Sequence, residues 1–225
     1  PWGYGSDAYV SMVQDADNNQ MSICQWDYGY HYASIDIYLG DYNMIYDGME
    51  FDVPGIFGDK VFVEIFYDDF QFNVIRQEGY GHYATISIKQ GGTAAHQQAD
   101  RNLVSIYQYG MYSDMNQAMI NIYESSDNRA AIAQTGDYHW AEIEIKYNSN
   151  YNKAFISQHT DNNAALISIT GGSSGNHSNI VQLDSYYNDG YNEAAIYQYN
   201  DADNGLAVIN QYWKYNDAVI EQTQG

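Results

Sequence analysis

Apolar and polar residues alternate along the chain with a period of two, over short segments that keep returning. One form of the segment is Asn-x-Ala-x-Ile-x-Gln. It occurs at Asn128, Ala130, Ile132 and Gln134, at Asn152, Ala154, Ile156 and Gln158, at Asn192, Ala194, Ile196 and Gln198, and at Asn216, Ala218, Ile220 and Gln222. A second form ends in Ile: Asn116, Ala118, Ile120 and Ile122, then His139, Ala141, Ile143 and Ile145, then Asn163, Ala165, Ile167 and Ile169. Successive side chains of an extended strand leave on opposite faces, so Ala, Ile and the final Gln or Ile share one face. A helix would need apolar residues at i, i+3 and i+4, and these segments lack them. The β-branched Ile and Val and the aromatic residues favour strand, and clusters of Asn, Asp and Gly between segments mark turns.

The spacing has two levels. Neighbouring copies lie roughly 12 residues apart and copies of the same form roughly 24 apart, as from Ala130 to Ala154 and from Ala141 to Ala165. Repeats of this length are the mark of a solenoid. The expected fold is therefore all-β: a β-solenoid with two short strands per coil, roughly 24 residues per coil, about 8–9 coils, and a cross-β core between two sheets. Residues 1–225 read as one such domain, with repeats clearest over 102–225 and more irregular over 1–101. Weaker copies are Ala8, Val10 and Met12; Asn19, Met21, Ile23 and Gln25; Ala33, Ile35 and Ile37; Val61, Val63 and Ile65; Asn73, Ile75 and Gln77; Ala84, Ile86 and Ile88; and Asn102, Val104, Ile106 and Gln108. Met49–Val53, followed by Pro54, is the poorest copy. The core is expected at Ala118, Ile120, Ala130, Ile132, Ala141, Ile143, Ala154, Ile156, Ala165, Ile167, Ala194, Ile196, Ala218 and Ile220.

Equivalent residues of successive coils stack, so two amide ladders are expected. One runs through Gln25, Gln77, Gln108, Gln134, Gln158 and Gln182, and the other through the turn residues Asn102, Asn128, Asn152, Asn176 and Asn204. An inward amide is costly to bury unless it is bonded, and a ladder bonds each member to its neighbours. Near the C-terminus the pattern changes. Gln198 and Gln222 fall in the sheet that earlier ended in Ile, and Asn210 stands where the other sheet is expected to carry Gln.

Composition narrows the function. The net charge is -21, from 8 basic and 29 acidic residues, which disfavours nucleic acid and anionic membrane as partners. No apolar run is long enough to cross a bilayer, so no membrane insertion is expected. With 25 Tyr and only 2 Pro, the chain suits uninterrupted strands rather than a disordered acidic tail. The single cysteine, Cys24, allows no internal disulfide. His31, His82 and His139 occupy the Asn slot of copies several coils apart and do not converge as metal ligands. Asp-Ala-Asp-Asn at Asp15 and Asp201 resembles the start of a calcium loop but lacks the late bidentate Glu, and reads as a turn. No nucleophile elbow or phosphate-binding glycine loop occurs, so no catalytic residue, metal or cofactor is expected.

Asn128-Arg-Ala-Ala-Ile-Ala-Gln-Thr-Gly136 resembles the curlin repeat, whose core is Asn-x-Ala-x-Ile-x-Gln-x-Gly. The same Asn-to-Gln spacing recurs at Asn19/Gln25, Asn102/Gln108, Asn152/Gln158, Asn176/Gln182, Asn192/Gln198 and Asn216/Gln222. The resemblance implies a secreted subunit of a bacterial extracellular amyloid fibre serving biofilm matrix, adhesion and colonisation. It also implies export through a dedicated outer-membrane pore and assembly started by a nucleator subunit. Strand-like repeats run from Ala8 to Gln222 without a recognisable cap, so the expected partner is a second copy, stacked head to tail into an open filament. Two other classes are weighed against this. An ice- or glycan-binding solenoid calls for a regular outward array, whereas the outward slots here hold Met119, Glu142, Glu144, Leu166 and Tyr197. A β-helix enzyme acting on acidic sugars calls for long functional loops and more basic residues.

Overall fold

Alternation of small or branched apolar residues with polar ones produces strands throughout the chain. The computed structural model describes residues 7–13, 23–26, 32–38, 44–45, 50–51, 61–62, 75–78, 82–89, 102–109, 115–159, 161–183 and 191–224. In chain order the strands are β1 (Asp7–Val13), β2 (Ile23–Trp26), β3 (Tyr32–Tyr38), β4 (Met44–Ile45), β5 (Glu50–Phe51), β6 (Val61–Phe62), β7 (Ile75–Glu78), β8 (Tyr83–Lys89) and β9 (Leu103–Tyr109). They continue as β10 (Gln117–Tyr123), β11 (Arg129–Thr135), β12 (Trp140–Lys146), β13 (Lys153–His159), β14 (Ala164–Ile169), β15 (His177–Leu183), β16 (Glu193–Tyr199), β17 (Leu206–Tyr212) and β18 (Asp217–Thr223). No helix occurs among the described residues.

Two parallel sheets hold nearly all of these strands. The first runs β1-β3-β8-β10-β12-β14-β16-β18, and most of its rungs end in Ile; we call it the isoleucine sheet. The second, the glutamine sheet, runs β2-β7-β9-β11-β13-β15-β17. From β7 onward the chain alternates between them, so each strand pairs with the next but one, which is the arrangement of a β-solenoid. Register is residue for residue. Ala118 pairs with Ala141 and Ala141 with Ala165, while Ile132 pairs with Ile156 and Ile156 with Ile180.

Between the sheets lies one continuous core. Ala118, Ile120, Ala130, Ile132, Ala141, Ile143, Ala154, Ile156, Ala165, Ile167, Ala194 and Ile196 are all buried within it, and Ala218 and Ile220 of the terminal strand pack against it half-buried. Each fully buried Ile contributes ~1.5–3 kcal/mol of transfer free energy, so the stack of Ile residues dominates the driving force. At the corners the backbone turns through left-handed residues, including Asp127, Tyr138, Tyr147, Asn148, Tyr151 and Asn162. Left-handed backbone costs a non-Gly residue ~1–2 kcal/mol. Corner-to-corner hydrogen bonds offset it, such as Asn148 N–H to the Glu124 carbonyl at 2.8 Å and Asn162 N–H to the Asp137 carbonyl at 2.9 Å.

The early part of the chain departs from the expected repeats. Val61 does not begin an Ile-ending rung; it pairs antiparallel with Phe51, and β5 and β6 form a small sheet of their own. Met44 and Ile45 of β4 pair with Leu103 and Val104, whereas Ile75 to Glu78 of β7 pair with Ile106 to Tyr109 of the same β9. One rung is therefore shared by two segments. With β4 and β7 filling that rung, β3 pairs directly with β8 and leaves no place in the isoleucine sheet for another strand. Asn19, His31, Val63, Ile65 and Asn73 lie outside the described residues.

Candidate assembly interface: amide ladders and terminal rungs

Because the third inward position of the glutamine sheet is polar, its side chains need partners along the stack. They find them in one direction. Nε2 of Gln77 donates to Oε1 of Gln108 at 2.8 Å, Gln108 to Gln134 at 2.8 Å, Gln134 to Gln158 at 2.9 Å, Gln158 to Gln182 at 2.9 Å, and Gln182 to Gln211 at 2.8 Å. The second hydrogen of each amide crosses to the facing sheet and bonds the carbonyl at the head of a strand there. Gln108 reaches Tyr83, Gln134 reaches Gln117, Gln158 reaches Trp140 and Gln182 reaches Ala164, at 2.9–3.0 Å. Each amide thus ties two neighbouring coils and both sheets together. Gln25 aligns with Gln77 in register and stands on the first rung of this sheet.

The member after Gln182 is Gln211 and not Asn210. Gln182 pairs with Gln211 across β15 and β17, while Asn210 aligns with Val181 and is exposed. The slot at the preceding turn is held by Gly205 and not Asn204, so counting six residues from Asn204 lands one residue short.

The asparagines form a second ladder, in which Oδ1 of each accepts the backbone N–H of the next rung. Asn102 accepts from Asn128 at 3.0 Å, Asn128 from Asn152 at 2.9 Å, and Asn152 from Asn176 at 2.8 Å. The next donor is Gly205, at 2.6 Å from Asn176 Oδ1, so Asn204 is a correction: it is exposed, in left-handed backbone, one residue before the ladder position. A parallel column joins the corners that precede the isoleucine sheet. Asn116 accepts from His139 N–H, His139 Nδ1 accepts from Asn163 N–H at 3.3 Å, Asn163 accepts from Asn192, and Asn192 from Asn216. His139 fills the asparagine slot by using its ring nitrogen as the acceptor, with Nε2 donating to the Thr135 carbonyl.

A third column was not foreseen. Ser125, Ser149 and Ser173 are fully buried at successive corners; Ser125 Oγ accepts from Ser149 N–H, and Ser173 Oγ from Ala202 N–H. Their 24-residue spacing is visible in the sequence, but serine belongs to no part of the repeat that pointed to the strands. On the outer surface, Tyr32 and Tyr83 stack with ring centroids 4.8 Å apart, Tyr191 stacks on Tyr215 at 5.9 Å, and Tyr123 meets Tyr147 edge-on. Asp203 accepts the Ser174 N–H, so the second Asp-Ala-Asp-Asn segment is engaged in corner bonding.

At the C-terminal end the isoleucine sheet changes character. Gln198 replaces the Ile169 of the rung below, and its Nε2 donates to Oε1 of Gln222 at 2.6 Å. With no amide beneath it, Gln198 Oε1 instead accepts the hydroxyl of Ser178 at 2.6 Å, where the rung below carries Ala154. Gly205 makes the room: a Cβ there would lie 2.6 Å from Gln222 Oε1 and 3.0 Å from Gln198 Nε2. β18 is the last strand of its sheet and has only β16 as a neighbour, so the other edge of its backbone is unpaired among the described residues. Gln222 Nε2 donates to the Leu206 carbonyl at 3.0 Å, and its second hydrogen has no acceptor among the described residues. No protein-family model, curated protein or solved structure matches the chain.

Proposed function

We propose that the chain is the structural subunit of an extracellular, curlin-like fibre, polymerising head to tail by strand stacking. The observation that carries this reading is the in-register stacking of like residues: from Gln77 to Gln211 each rung of the glutamine sheet donates an amide hydrogen to the next, and Ile132, Ile156 and Ile180 align along the stack. A stack in which each rung templates a like neighbour is the architecture of cross-β fibres. On this reading one advance along a sheet, 24 residues from Gln134 to Gln158 and 29 from Gln182 to Gln211, is one coil, and the described strands of the two stacks make seven coils and a half. The fibre would be a homopolymer without catalytic or cofactor chemistry, secreted to the cell surface for biofilm matrix and adhesion. A nucleator subunit and an outer-membrane pore are the further partners that the curlin resemblance brings with it.

Electron microscopy of the purified chain tests the proposal. Fibres about one solenoid wide and resistant to detergent are expected, and a protein that stays monomeric at high concentration for weeks would count against it. Ile132→Asp with Ile156→Asp is expected to abolish fibres, since both positions are buried and a charge there has no partner.

A further inference from the structure

Two tyrosines on adjacent rungs stand ring to ring at the corner that leads into the isoleucine sheet. Tyr191 comes just before β16 and Tyr215 just before β18, and the Tyr215 N–H donates to the Tyr191 carbonyl at 2.9 Å, which sets the two residues one above the other. Their rings lie 9° from parallel with centroids 5.9 Å apart, an offset stack. Both are largely in solvent, at 55% and 70% exposure. The bend does not call for an aromatic residue. Asn162, at the same place two rungs earlier, adopts the same left-handed backbone (φ 58° against 62° for Tyr215), and Asn tolerates that conformation better than a bulky side chain does. Burial does not explain the rings either, since neither is taken out of water. What the corner gains is two phenols held side by side within reach of a diffusing oxidant.

That arrangement suits one reaction of phenols. A one-electron oxidant takes an electron and the hydroxyl proton from each ring. The two phenoxyl radicals join through the carbons ortho to oxygen, and each of those carbons gives up its hydrogen, which returns to the ring oxygen, leaving dityrosine. With hydrogen peroxide as the oxidant, acting through a haem peroxidase, the electrons and protons removed convert each peroxide into two waters. In free solution two short-lived radicals must meet, whereas here the second ring is already in place, and such positioning acts as a high local concentration. Coupling also turns rings that lie face to face into rings joined edge to edge, so one of them must swing. Exposed side chains change rotamer within nanoseconds, and Tyr215 has solvent around it. Tyr32 and Tyr83 stack more closely, at 4.8 Å, but Tyr32 is half-buried and has Tyr9 on its other side. The rings of Tyr123 and Tyr147 meet edge-on, at 82°.

We propose that Tyr191 and Tyr215 form an oxidative cross-linking site, at which a peroxide-driven one-electron oxidant joins the two rings into dityrosine and staples β16 to β18. Both rings belong to one molecule, so the site stands whether or not the chain polymerises. The new bond closes a loop of 24 residues, and a cross-link of that kind restricts the unfolded chain as a disulfide does.

Oxidation of the purified chain with a peroxidase and limiting hydrogen peroxide, followed by trypsin and mass spectrometry, tests the site. No Lys or Arg lies between Lys153 and Lys214, so Tyr191 falls in the peptide 154–214, whereas Tyr215 begins the next peptide and is its only tyrosine. The expected product joins these two peptides with the loss of two hydrogens, and fragmentation places the link at Tyr191. It should be the leading dityrosine of the folded chain and fall several-fold when the oxidation is run in urea. Tyr191→Phe should remove it. Tyr151→Phe should leave it unchanged, because Tyr151 is 65% exposed with no ring alongside it among the described residues. An equal yield in urea, or a Tyr215 peptide linked to other tyrosines as often as to Tyr191, overturns the site. So does a link that forms only between molecules, which a mixture of isotope-labelled and unlabelled chains reveals.

Discussion

At the scale of the residue, the interior is governed by the difference between burying an amide and burying an amide with partners. Gln134 bonds Gln108, Gln158 and the Gln117 carbonyl at once. Replacing it with Leu leaves polar groups on both neighbours and on the facing sheet unpaired, at ~1–3 kcal/mol for each buried group. Gln134→Leu is therefore expected to lower resistance to denaturant well beyond the change in side-chain volume, which a urea titration of fibre dissolution measures. His139 offers a contrasting case. His139→Asn places an amide oxygen where the ring nitrogen now accepts, as Asn163 already does one rung on, and should be tolerated. His139→Ala leaves the Asn163 N–H buried without that acceptor and should cost ~1–3 kcal/mol in the same titration. Gly205→Ala forces Gln198 and Gln222 apart, and is expected to slow growth at that end with little effect on the earlier coils.

At the scale of the element, two titrating histidines sit where strands meet corners, His159 at the end of β13 and His177 at the start of β15. Burial holds the His159 imidazole below its ordinary pKa; burial first, and then the Lys153 charge, do the same for His177. Each favours the folded state while neutral and loses that advantage as the pH falls below about 6.5, where the unfolded chain takes up the proton first. Glu142 works in the opposite sense. Burial, and then Glu144 beside it, raise its pKa, so its contribution is fullest in acid and is lost as the pH rises through that raised value. Resistance to denaturant between about pH 7 and 5 is thus expected to fall less steeply in His159→Gln than in the unmodified chain. An unchanged slope in that comparison would remove His159 from the account.

The strands, their inward faces and the glutamine ladder were legible in the sequence, because stacking in register asks the same residue type of every coil. Ala130, Ile132 and Gln134 repeat at Ala154, Ile156 and Gln158 for that reason. Legibility failed where the chain between rungs changed length. Gly205 holds the ladder slot one residue after Asn204, which moves the glutamine position to Gln211, and the shared rung of β4 and β7 was hidden because its motif is cut in the middle. The serine column lay beyond a strand-based reading, since only the folded corner brings Ser125, Ser149 and Ser173 into line.

At the scale of the whole molecule, charge opposes what the strand edges promote. Each chain carries a net charge of -21, and stacking in the proposed fibre would repeat that charge along the axis. Screening shortens the reach of this repulsion from roughly 30 Å at 0.01 M salt to about 8 Å at 0.15 M. Growth followed by dye fluorescence is therefore expected to accelerate several-fold over that range, and insensitivity to salt would mean that charge plays no part in timing assembly.

The divided rung also has a practical consequence. Ile45 pairs with Val104 and Ile75 with Ile106, so the chain between Ile45 and Ile75 joins two segments of one rung. Lengthening such a connection costs only slowly growing closure entropy, roughly 0.6 kcal/mol for each doubling. A foreign peptide or small folded cargo grafted there would be carried once per molecule along the proposed fibre.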